Sequence, residues 1–312
     1  MGRVLYIINP TSYGGSGCEA WETFQTLWLE EIDSKDVVMT ERPGHAREVA
    51  ASRSDYEIIT AVGGDGTVSE VISGVMEQQA PRPKVAIIPG GTGNDIAQNA
   101  GIFSVTDSVK SLHAQFVRKF DLVQIDYQKD GEPIHGHGFL FALAGFSANS
   151  RIRPWMKRLL GATGAYYLAT FLQVLTYRAP LMTIRVDDEE FVDHTYMVIA
   201  GNAEWAGGGS MRMSPGALID DGQLRVTIVP SMSKLNIITR LFPCIATGTH
   251  IDHPDVSYFA GKKIEVSSDP PAILDVDGDV IGTTPATFTI CPGALQMVSV
   301  ESPDKIAKPN KE

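Results

Sequence analysis

The sequence predicts a two-domain protein, with a parallel α/β domain first and a mostly antiparallel β-sandwich domain second. In the first third of the chain, continuous apolar strands alternate with helical segments, which is typical of a parallel sheet covered on both faces. Three glycine-rich turns follow strands of this region. After about Leu122, strand-like runs separated by turn signals dominate, and these indicate the sandwich.

In the first third, strands are predicted at residues 3–8, 37–40, 57–62 and 85–88. Helices are predicted at 18–32, 45–51, 68–76 and 95–100. In a parallel sheet, ligands bind at the carboxyl ends of the strands, where the loops gather. The three glycine-rich turns, at 9–17, 63–67 and 89–95, all lie at such ends.

In the second part, strands are predicted at 120–127, 138–144, 182–186, 196–200, 224–229, 263–266, 272–276 and 287–291. Two helical interruptions are predicted, near 155–176 and near 234–247. Turn signals such as Asp-Gly and Gly-Lys separate the strands, as expected for antiparallel neighbours.

The composition is that of a globular protein, with 43% hydrophobic and 20% charged residues. The length of 312 residues is enough for two domains of ordinary size. A formal net charge of −11 argues against a general polyanion binder, so we expect no nucleic-acid partner. The three cysteines are scattered without metal-ligand spacing, which fits a reducing cytoplasm.

The glycine-rich turns are suited to bind phosphate. Glycine lets the backbone approach a phosphate closely, and a helix N-terminus offers free N–H groups and a partial positive charge. GGDGT at 63–67 adds Asp65, which would either hold Mg²⁺ or orient the donor groups around it, and PGGTGND at 89–95 adds Thr92, Asn94 and Asp95. NPTSYGGSG at 9–17 lacks the Gly-Lys-Ser/Thr ending of a P-loop, so a Walker-type site is excluded. One such loop could be a tight turn with a capping Asp, but three at strand ends predict a phosphorylated ligand.

GGDGT, PGGTGND, the opening Asn-Pro-Thr-Ser-x-Gly-Gly and a late Asp-Gly-acid turn together resemble the diacylglycerol kinase catalytic-domain family. This family includes soluble bacterial diacylglycerol kinases, YegS-like lipid kinases, and sphingosine and ceramide kinases. The resemblance covers about residues 3–300, whereas NAD kinases and 6-phosphofructokinases share only the GGDG-type loop. It implies an N-terminal nucleotide-binding domain like that of NAD kinases and a C-terminal β-sandwich.

The resemblance also implies a site for ATP, with Mg²⁺, in the three turns and the elements beside them. The matching positions are Asn9, Pro10, Thr11, Ser12, Gly14, Gly15, Thr40, Gly63, Gly64, Asp65, Gly66, Thr67, Glu70, Gly91, Thr92 and Asn94. Thr40 ends the second predicted strand, where its hydroxyl could meet ribose or phosphate.

LDVDGDVIG at 274–282 matches the Asp-Gly-Glu turn of the family, which implies that Asp277 is the catalytic base. An aspartate that accepts the proton of the acceptor hydroxyl is the usual solution in kinases. Asp279 stands where glutamate is usual, so the charge is kept and the reach is one methylene shorter. Asp95 and Asp121 match further acids of the family's Mg²⁺ network, and Asp65 and Asp279 are expected to take part in catalysis with them. Without the resemblance, a structural Asp-Gly hairpin would be favoured.

SPGALIDDGQLRV at 214–226 resembles the family's second metal site, which is structural. The implied ligands are the main-chain carbonyls of Leu218 and Gln223 and the carboxylate of Asp221. Such oxygen ligands suit Mg²⁺ or Ca²⁺. Gln223 stands where an apolar residue is usual, which matters little for a carbonyl ligand. From spacing alone, a solvated turn is favoured.

RIRPWMKRLL at 151–160 is a local basic and aromatic patch in an acidic chain. We expect Arg153, Trp155, Lys157 and Arg158 to dock on a membrane surface, with a solvated helix end as the alternative.

Residues 159–177 carry no charge and approach the length of a membrane span. Their Gly, Thr, Gln and Tyr content instead favours a helix that is buried or touches the bilayer surface.

These observations together lead us to expect an ATP- and Mg²⁺-dependent lipid kinase, cytoplasmic and peripheral to the membrane. Diacylglycerol is the leading acceptor, and a homodimer stays open. The ATP-binding domain is expected at 1–122 with a strand returning at about 292–305, and the lipid-binding sandwich at 123–291. The alternatives are an NAD kinase, which the absence of an Asn-Glu-Asp type motif opposes, and a lipid-binding pseudokinase, which the retained acids oppose.

Overall fold

A computed structural model of the chain describes residues 3–147 and 153–300, without the side chains of residues 13, 154, 157, 162, 163, 166 and 167. The chain divides into two compact units. Unit 1 comprises Met1–Asp121, Ala206–Gly209 and Gly293–Glu312, and unit 2 comprises Leu122–Trp205 and Ser210–Pro292.

The strands are β1 (Val4–Ile8), β2 (Val37–Met39), β3 (Ile58–Gly63), β4 (Lys84–Pro89), β5 (Phe116–Lys129), β6 (Glu132–Gly138), β7 (Phe141–Gly145), β8 (Leu181–Val186), β9 (Glu189–Gly201), β10 (Leu224–Pro230), β11 (Ser257–Gly261), β12 (Lys263–Asp269), β13 (Ile273–Val276), β14 (Asp279–Thr283) and β15 (Ala286–Ser299). The α-helices are α1 (Ser16–Leu27), α2 (His45–Ser52), α3 (Asp65–Glu77), α4 (Asp95–Asn99), α5 (Val105–Ala114), α6 (Pro154–Thr176), α7 (Lys234–Asn236) and α8 (Phe242–Ile245). A π-helical turn, Ile237–Leu241, joins α7 to α8, and we call residues 234–245 the second helical insertion.

Unit 1 is built on a parallel sheet with the order β4-β3-β1-β2, and the last part of β15 pairs in parallel with β4. Every residue of β1 and of β3 is buried, as the continuous apolar runs predicted. The helix α1 packs its aromatic face on this sheet, with Phe24 stacked between Trp21 and Trp28. The carboxyl ends of the strands therefore lie at one edge, where the glycine-rich turns leave the sheet.

The helix α1 ends at Leu27, five residues before the predicted end. Trp28 leaves the helical conformation, with φ −86° and ψ 62°, and its buried indole stacks on His113 at 4.3 Å. The following Leu29 is 95% exposed. Tertiary packing of one tryptophan ends this helix, and no glycine or proline marks the end in the sequence.

The strands of unit 2 pair antiparallel: β13 with β14 and β7, β9 with β7, β8 and β10, β12 with β8 and β15, and β5 with β6. Alternate residues of these strands form one large apolar core that includes Val123, Ile184, Val226 and Phe288. Together with the parallel sheet of unit 1, this arrangement confirms the predicted fold class. The strands β6, β11 and β14 and the helix α5 were not predicted.

Strand β15 runs through Pro292 and Gly293, where the sequence suggested a break between two strands. Gly293 has φ +59° and Pro292 supplies no N–H, which makes the strand irregular at this point. The strand nevertheless continues to Ser299. Its two parts belong to different units.

The two helical insertions of unit 2 lie close to their predicted positions. Gly161, with φ +70°, interrupts the helical conformation within α6. Val174 of α6 and Ile237 and Leu241 of the second helical insertion share one apolar cluster with Phe146. Among the residues described here, no helix is both long enough and apolar enough to cross a membrane.

Candidate active site

The hydroxyl group of Ser12 joins the three glycine-rich turns of unit 1. Its Oγ accepts from the N–H of Gly64 at 3.2 Å and donates to the carbonyl of Gly90 at 2.9 Å. Ser12 itself lies in the first turn. The turns that the sequence placed at one sheet edge are therefore hydrogen-bonded to one another.

Close backbone approach explains why glycine occupies these turns. A Cβ atom on Gly17 would stand 2.1 Å from the carbonyl oxygen of Asn9, and one on Gly91 would stand 2.4 Å from the Cα atom of Gly64. Neither distance is compatible with a side chain. The side chain of Asn9 then donates to Oγ1 of Thr67 at 2.9 Å, which fixes the first turn to the start of α3.

A cavity of about 350 Å³ opens beside these turns in unit 1. Its lining residues come from the first turn, from the segment that follows β2, from the start of α2 and from the start of α3: Asn9, Thr11, Ser12, Thr40, Glu41, Arg42, Pro43, Ala46, Gly64, Gly66, Thr67 and Glu70. Eight of these were predicted nucleotide-binding positions. The stretch Glu41–Pro43 was missed, because it follows a short strand without any glycine-rich signal.

Glu70 holds one wall of this cavity. Its two carboxylate oxygens accept from the N–H groups of Gly44 and Ala46, at 2.8 and 3.2 Å. These groups lie at the start of α2, where an anionic side chain offsets the partial positive charge of a helix N-terminus. Glu70 therefore positions the loop that carries Arg42.

The remaining predicted nucleotide-binding residues, Pro10, Gly14, Gly15, Gly63, Asp65, Gly91, Thr92 and Asn94, do not line the cavity. Asn94 closes its own turn: its Oδ1 accepts from the N–H of Gly91 and its Nδ2 donates to the carbonyl of Gly91, both at 2.9 Å. Asn94 has φ +54°, a conformation that asparagine tolerates better than most residues. Thr92 is exposed at the tip of this turn.

Asp65 and Asp95 face each other across Gly93. A Cβ atom on Gly93 would stand 3.0 Å from Oδ2 of Asp65 and 3.1 Å from Oδ2 of Asp95. The other oxygen of Asp65 accepts from the N–H of Ile96 at 2.9 Å. The glycine thus leaves open a space that two carboxylate oxygens border.

Asp95 is buried and held by a loop distant in sequence. Its carboxylate accepts from the N–H of Gly208, at 2.8 and 3.0 Å, and from that of Gly209 at 3.1 Å. Burial raises the pKa of Asp95 and the Asp65 carboxylate raises it further, while the N–H groups of Gly208 and Gly209 oppose the rise. Two neighbouring carboxylates, one of them costly to ionise, form an environment that a divalent cation would stabilise. No motif in the sequence indicated the role of Gly207–Gly209.

Asp121 is buried, and its Oδ1 accepts from the N–H of Gly293 at 2.7 Å. No group of three or more His, Cys, Asp or Glu side chains placed to hold a metal ion occurs in residues 3–147 and 153–300.

Within unit 2, the backbone at the start of β7 holds the carboxylate of Asp277. The N–H of Phe139 donates to Oδ2 at 2.7 Å, and those of Leu140 and Phe141 donate to Oδ1 at 2.8 and 3.0 Å. Asp277 itself has φ +51° in the tight turn between β13 and β14. These donors fix the orientation of a carboxylate that a simple hairpin turn would leave free to rotate. Asp279 is exposed at the start of β14.

The predicted second metal site contains a cation from the chain itself. Nη2 of Arg225 lies 2.9 Å from Oδ2 of Asp221, and Nη1 of Arg225 lies 3.4 Å from Oε1 of Gln223. Oδ1 of Asp221 accepts from the N–H of Gln223 at 3.0 Å. Leu218 is exposed nearby. These residues do not fit a bound divalent ion, because a guanidinium group already neutralises the only carboxylate of the proposed ligand set.

Of the predicted docking residues, Arg153, Trp155 and Arg158 are exposed, and the exposed fraction of Trp155 is 55%. The side chain of Lys157 and the whole of Arg151 lie outside the described residues.

The comparisons with known proteins agree with the two-part architecture. Residues 3–125 match a family model described as the diacylglycerol kinase catalytic domain. Residues 141–299 match one described as the YegS C-terminal NAD kinase beta sandwich-like domain.

Several bacterial proteins are similar to this chain over most of its length. A diacylglycerol kinase of Staphylococcus haemolyticus is 31% identical over 92% of this chain and 84% of its own length. A diacylglycerol kinase of Staphylococcus saprophyticus is 29% identical over 97% of this chain and 96% of its own length.

Solved structures share the fold. A crystal structure of a diacylglycerol kinase from Bacillus anthracis aligns with a TM-score of 0.69 and 21% identity, over 96% of this chain and 97% of that one. The yeast NADH kinase aligns with a TM-score of 0.55 and 13% identity, over 97% of this chain and 85% of that one. At these identities the likeness concerns the fold alone.

Proposed function

Because this chain belongs to the diacylglycerol kinase catalytic-domain family, we propose that it transfers the γ-phosphate of ATP to a hydroxyl group of a membrane lipid, with diacylglycerol as the leading acceptor. The observation that carries this proposal is the convergence of the first turn, the end of β2 and the start of α3 on one cavity. Backbone N–H groups at the start of a helix, together with polar side chains, suit the phosphates of a nucleotide.

Asp65 and Asp95 are the residues that would hold a divalent cation with the nucleotide. They fit such an ion because their oxygens border the space above Gly93 and because burial disfavours the charge of Asp95. When bound, Mg²⁺ supplies positive charge that stabilises the phosphates during transfer. Gly208 and Gly209 orient the Asp95 carboxylate through their N–H groups.

Asp277 is the proposed general base. The oxygen of the acceptor hydroxyl forms a bond to the γ-phosphorus, the bond from that phosphorus to the β–γ bridging oxygen breaks, and the hydroxyl proton passes to the Asp277 carboxylate. ADP leaves. The N–H groups of Phe139, Leu140 and Phe141 keep the carboxylate in one orientation, so it does not have to be ordered when substrate binds.

The acceptor of such an enzyme resides in a bilayer, so the protein must make peripheral membrane contact. Exposing lipid chains to water costs about 0.8 kcal/mol for each CH₂ group. The exposed Arg153, Trp155 and Arg158, together with Lys157, supply cations and an interfacial indole for this contact.

Initial rates of ATP-dependent phosphorylation of diacylglycerol in mixed micelles, compared between Gly93→Ala and wild type, test the proposed site. The added methyl group would crowd both carboxylates at 3.0–3.1 Å. We expect kcat to fall by about tenfold or more, since small misplacements at a reacting centre are costly.

Gly136→Ala is the matched control, because a Cβ atom there meets nothing within 4 Å. The proposed site is wrong if both variants phosphorylate diacylglycerol at the wild-type rate.

A further inference from the structure

Two stretches of this acidic chain contain no acidic residue. The sequence has 37 Asp and Glu among 312 residues, yet none occurs in 133–186 or in 222–251. The helix α6 lies in the first stretch, and the second helical insertion, 234–245, lies in the other. The cations of these two helical elements therefore have no acidic residue close to them in the sequence, despite the net charge of −11.

The two helical elements lie side by side in unit 2. The ammonium group of Lys234 donates to the carbonyl of Leu175, in the last turn of α6. Val174 of α6 also shares an apolar cluster with Ile237 and Leu241 of the second helical insertion. The two helical elements therefore contact each other, and both lie in stretches that lack acidic residues.

Apolar side chains on this joint surface are exposed. Phe171, Leu172 and Leu175 are exposed on α6, and Leu235 of the second helical insertion is 70% exposed. Residues three and four positions apart are neighbours on a helix, so Leu175 lies beside both Phe171 and Leu172, and the three side chains form one patch. The patch lies opposite the face that buries Ala169 and Val174.

Exposed cations accompany this patch. Arg178 follows the end of α6, and Arg240 lies in the second helical insertion. The acidic Asp193 lies on β9, opposite Met182. We call Phe171, Leu172, Leu175, Arg178, Leu235 and Arg240 the two-helix surface.

We infer that the two-helix surface docks on a bilayer that contains anionic lipid. The inference rests on the proposed lipid kinase function, and it extends the membrane contact from residues 153–158 to the second helical insertion. Leucine and phenylalanine side chains would enter the boundary between headgroups and acyl chains, while the guanidinium groups meet anionic headgroups. A second copy of the chain, paired through the same surface by two-fold symmetry, would bring like cations together, which disfavours that occupant.

Binding to vesicles of phosphatidylcholine with phosphatidylglycerol tests this inference, measured by co-sedimentation without ATP. Arg178→Gln/Arg240→Gln should weaken binding by roughly tenfold, and Leu235→Ser by at least about threefold. Lys234 is left intact because it links the two helices. Lys110→Gln/Lys129→Gln and Leu29→Ser remove exposed cations and a leucine that is even more exposed than Leu235, all outside the two-helix surface, and they should bind like wild type.

The inference is overturned if the surface variants bind vesicles as tightly as their controls. It is also overturned if these variants change the oligomeric state in sedimentation velocity, because the surface would then pair copies of the chain. Phosphorylation of a short-chain, water-soluble diacylglycerol is measured in parallel and should stay at the wild-type rate. Failure of wild type to phosphorylate any lipid would refute the proposed function, whereas the vesicle comparison reports on the surface alone.

Discussion

At Asp95 the fold buries a carboxylate beside another carboxylate. The pKa of Asp95 is raised by burial and by Asp65, so the folded protein holds the Asp95 proton more tightly than the unfolded chain does. The stability that this protonated group contributes is fully present below the unfolded-state value of 3.8, and it is lost as the pH rises through the raised pKa. At neutral pH the ionised residue therefore lowers the free energy of unfolding, which is a common cost of functional sites.

Asp95→Asn should consequently raise the melting temperature at pH 8 in the presence of EDTA, because it removes the buried charge. The advantage over wild type should shrink as the pH falls, since protonation neutralises the wild-type carboxylate. Thermal unfolding across about pH 5 to 8 measures this, with the exposed Asp188→Asn as control. A variant that is less stable than wild type by the same amount at every pH would show that the lost bonds to Gly208 and Gly209 dominate.

At the scale of an element, the turn before β10 carries its own cation. Arg225 and Asp221 are both about one-fifth exposed, at 19% and 20%, so their pairing is more shielded than an ordinary surface ion pair. A guanidinium group and a divalent ion in the same small turn would repel each other. The turn is therefore expected to fold without metal in this chain.

Removing this internal cation should make the turn responsive to a metal ion. Arg225→Ala should lower the melting temperature, and Ca²⁺ should restore more stability to this variant than it adds to wild type, because Asp221 then lacks a cation. Taking the difference between the two proteins cancels any stabilisation through Asp65 and Asp95. Arg185→Ala, which removes a more exposed ion pair with Glu190, is the control. An equal Ca²⁺ response in Arg225→Ala and wild type would contradict this account.

For the whole molecule, local patterns were enough to predict the α/β and β-sandwich parts and the edge where the glycine-rich turns gather. Those features depend on periodicity and on turns that follow strands directly. Contacts between residues distant in sequence were not predictable: Gly208 reaches Asp95 across 113 positions, and Phe139 reaches Asp277 across 138. Likewise, no residue near Trp28 in the sequence predicted the end of α1, because the packing of Trp28 on His113 determines that boundary.

The proposed reaction moves phosphate from ATP to a lipid hydroxyl. The most direct measurement follows the label from γ-labelled ATP, with Mg²⁺, into separate reactions that offer diacylglycerol, phosphatidylglycerol, a sphingoid base, ceramide, an isoprenoid alcohol or NAD. We predict label in a lipid, fastest in diacylglycerol, and a fall in kcat of at least about 10² for Asp277→Asn while ATP binding is kept. The proposed reaction would be contradicted if label appeared in NAD or in no lipid. An unchanged rate of labelling by Asp277→Asn would contradict the role of Asp277.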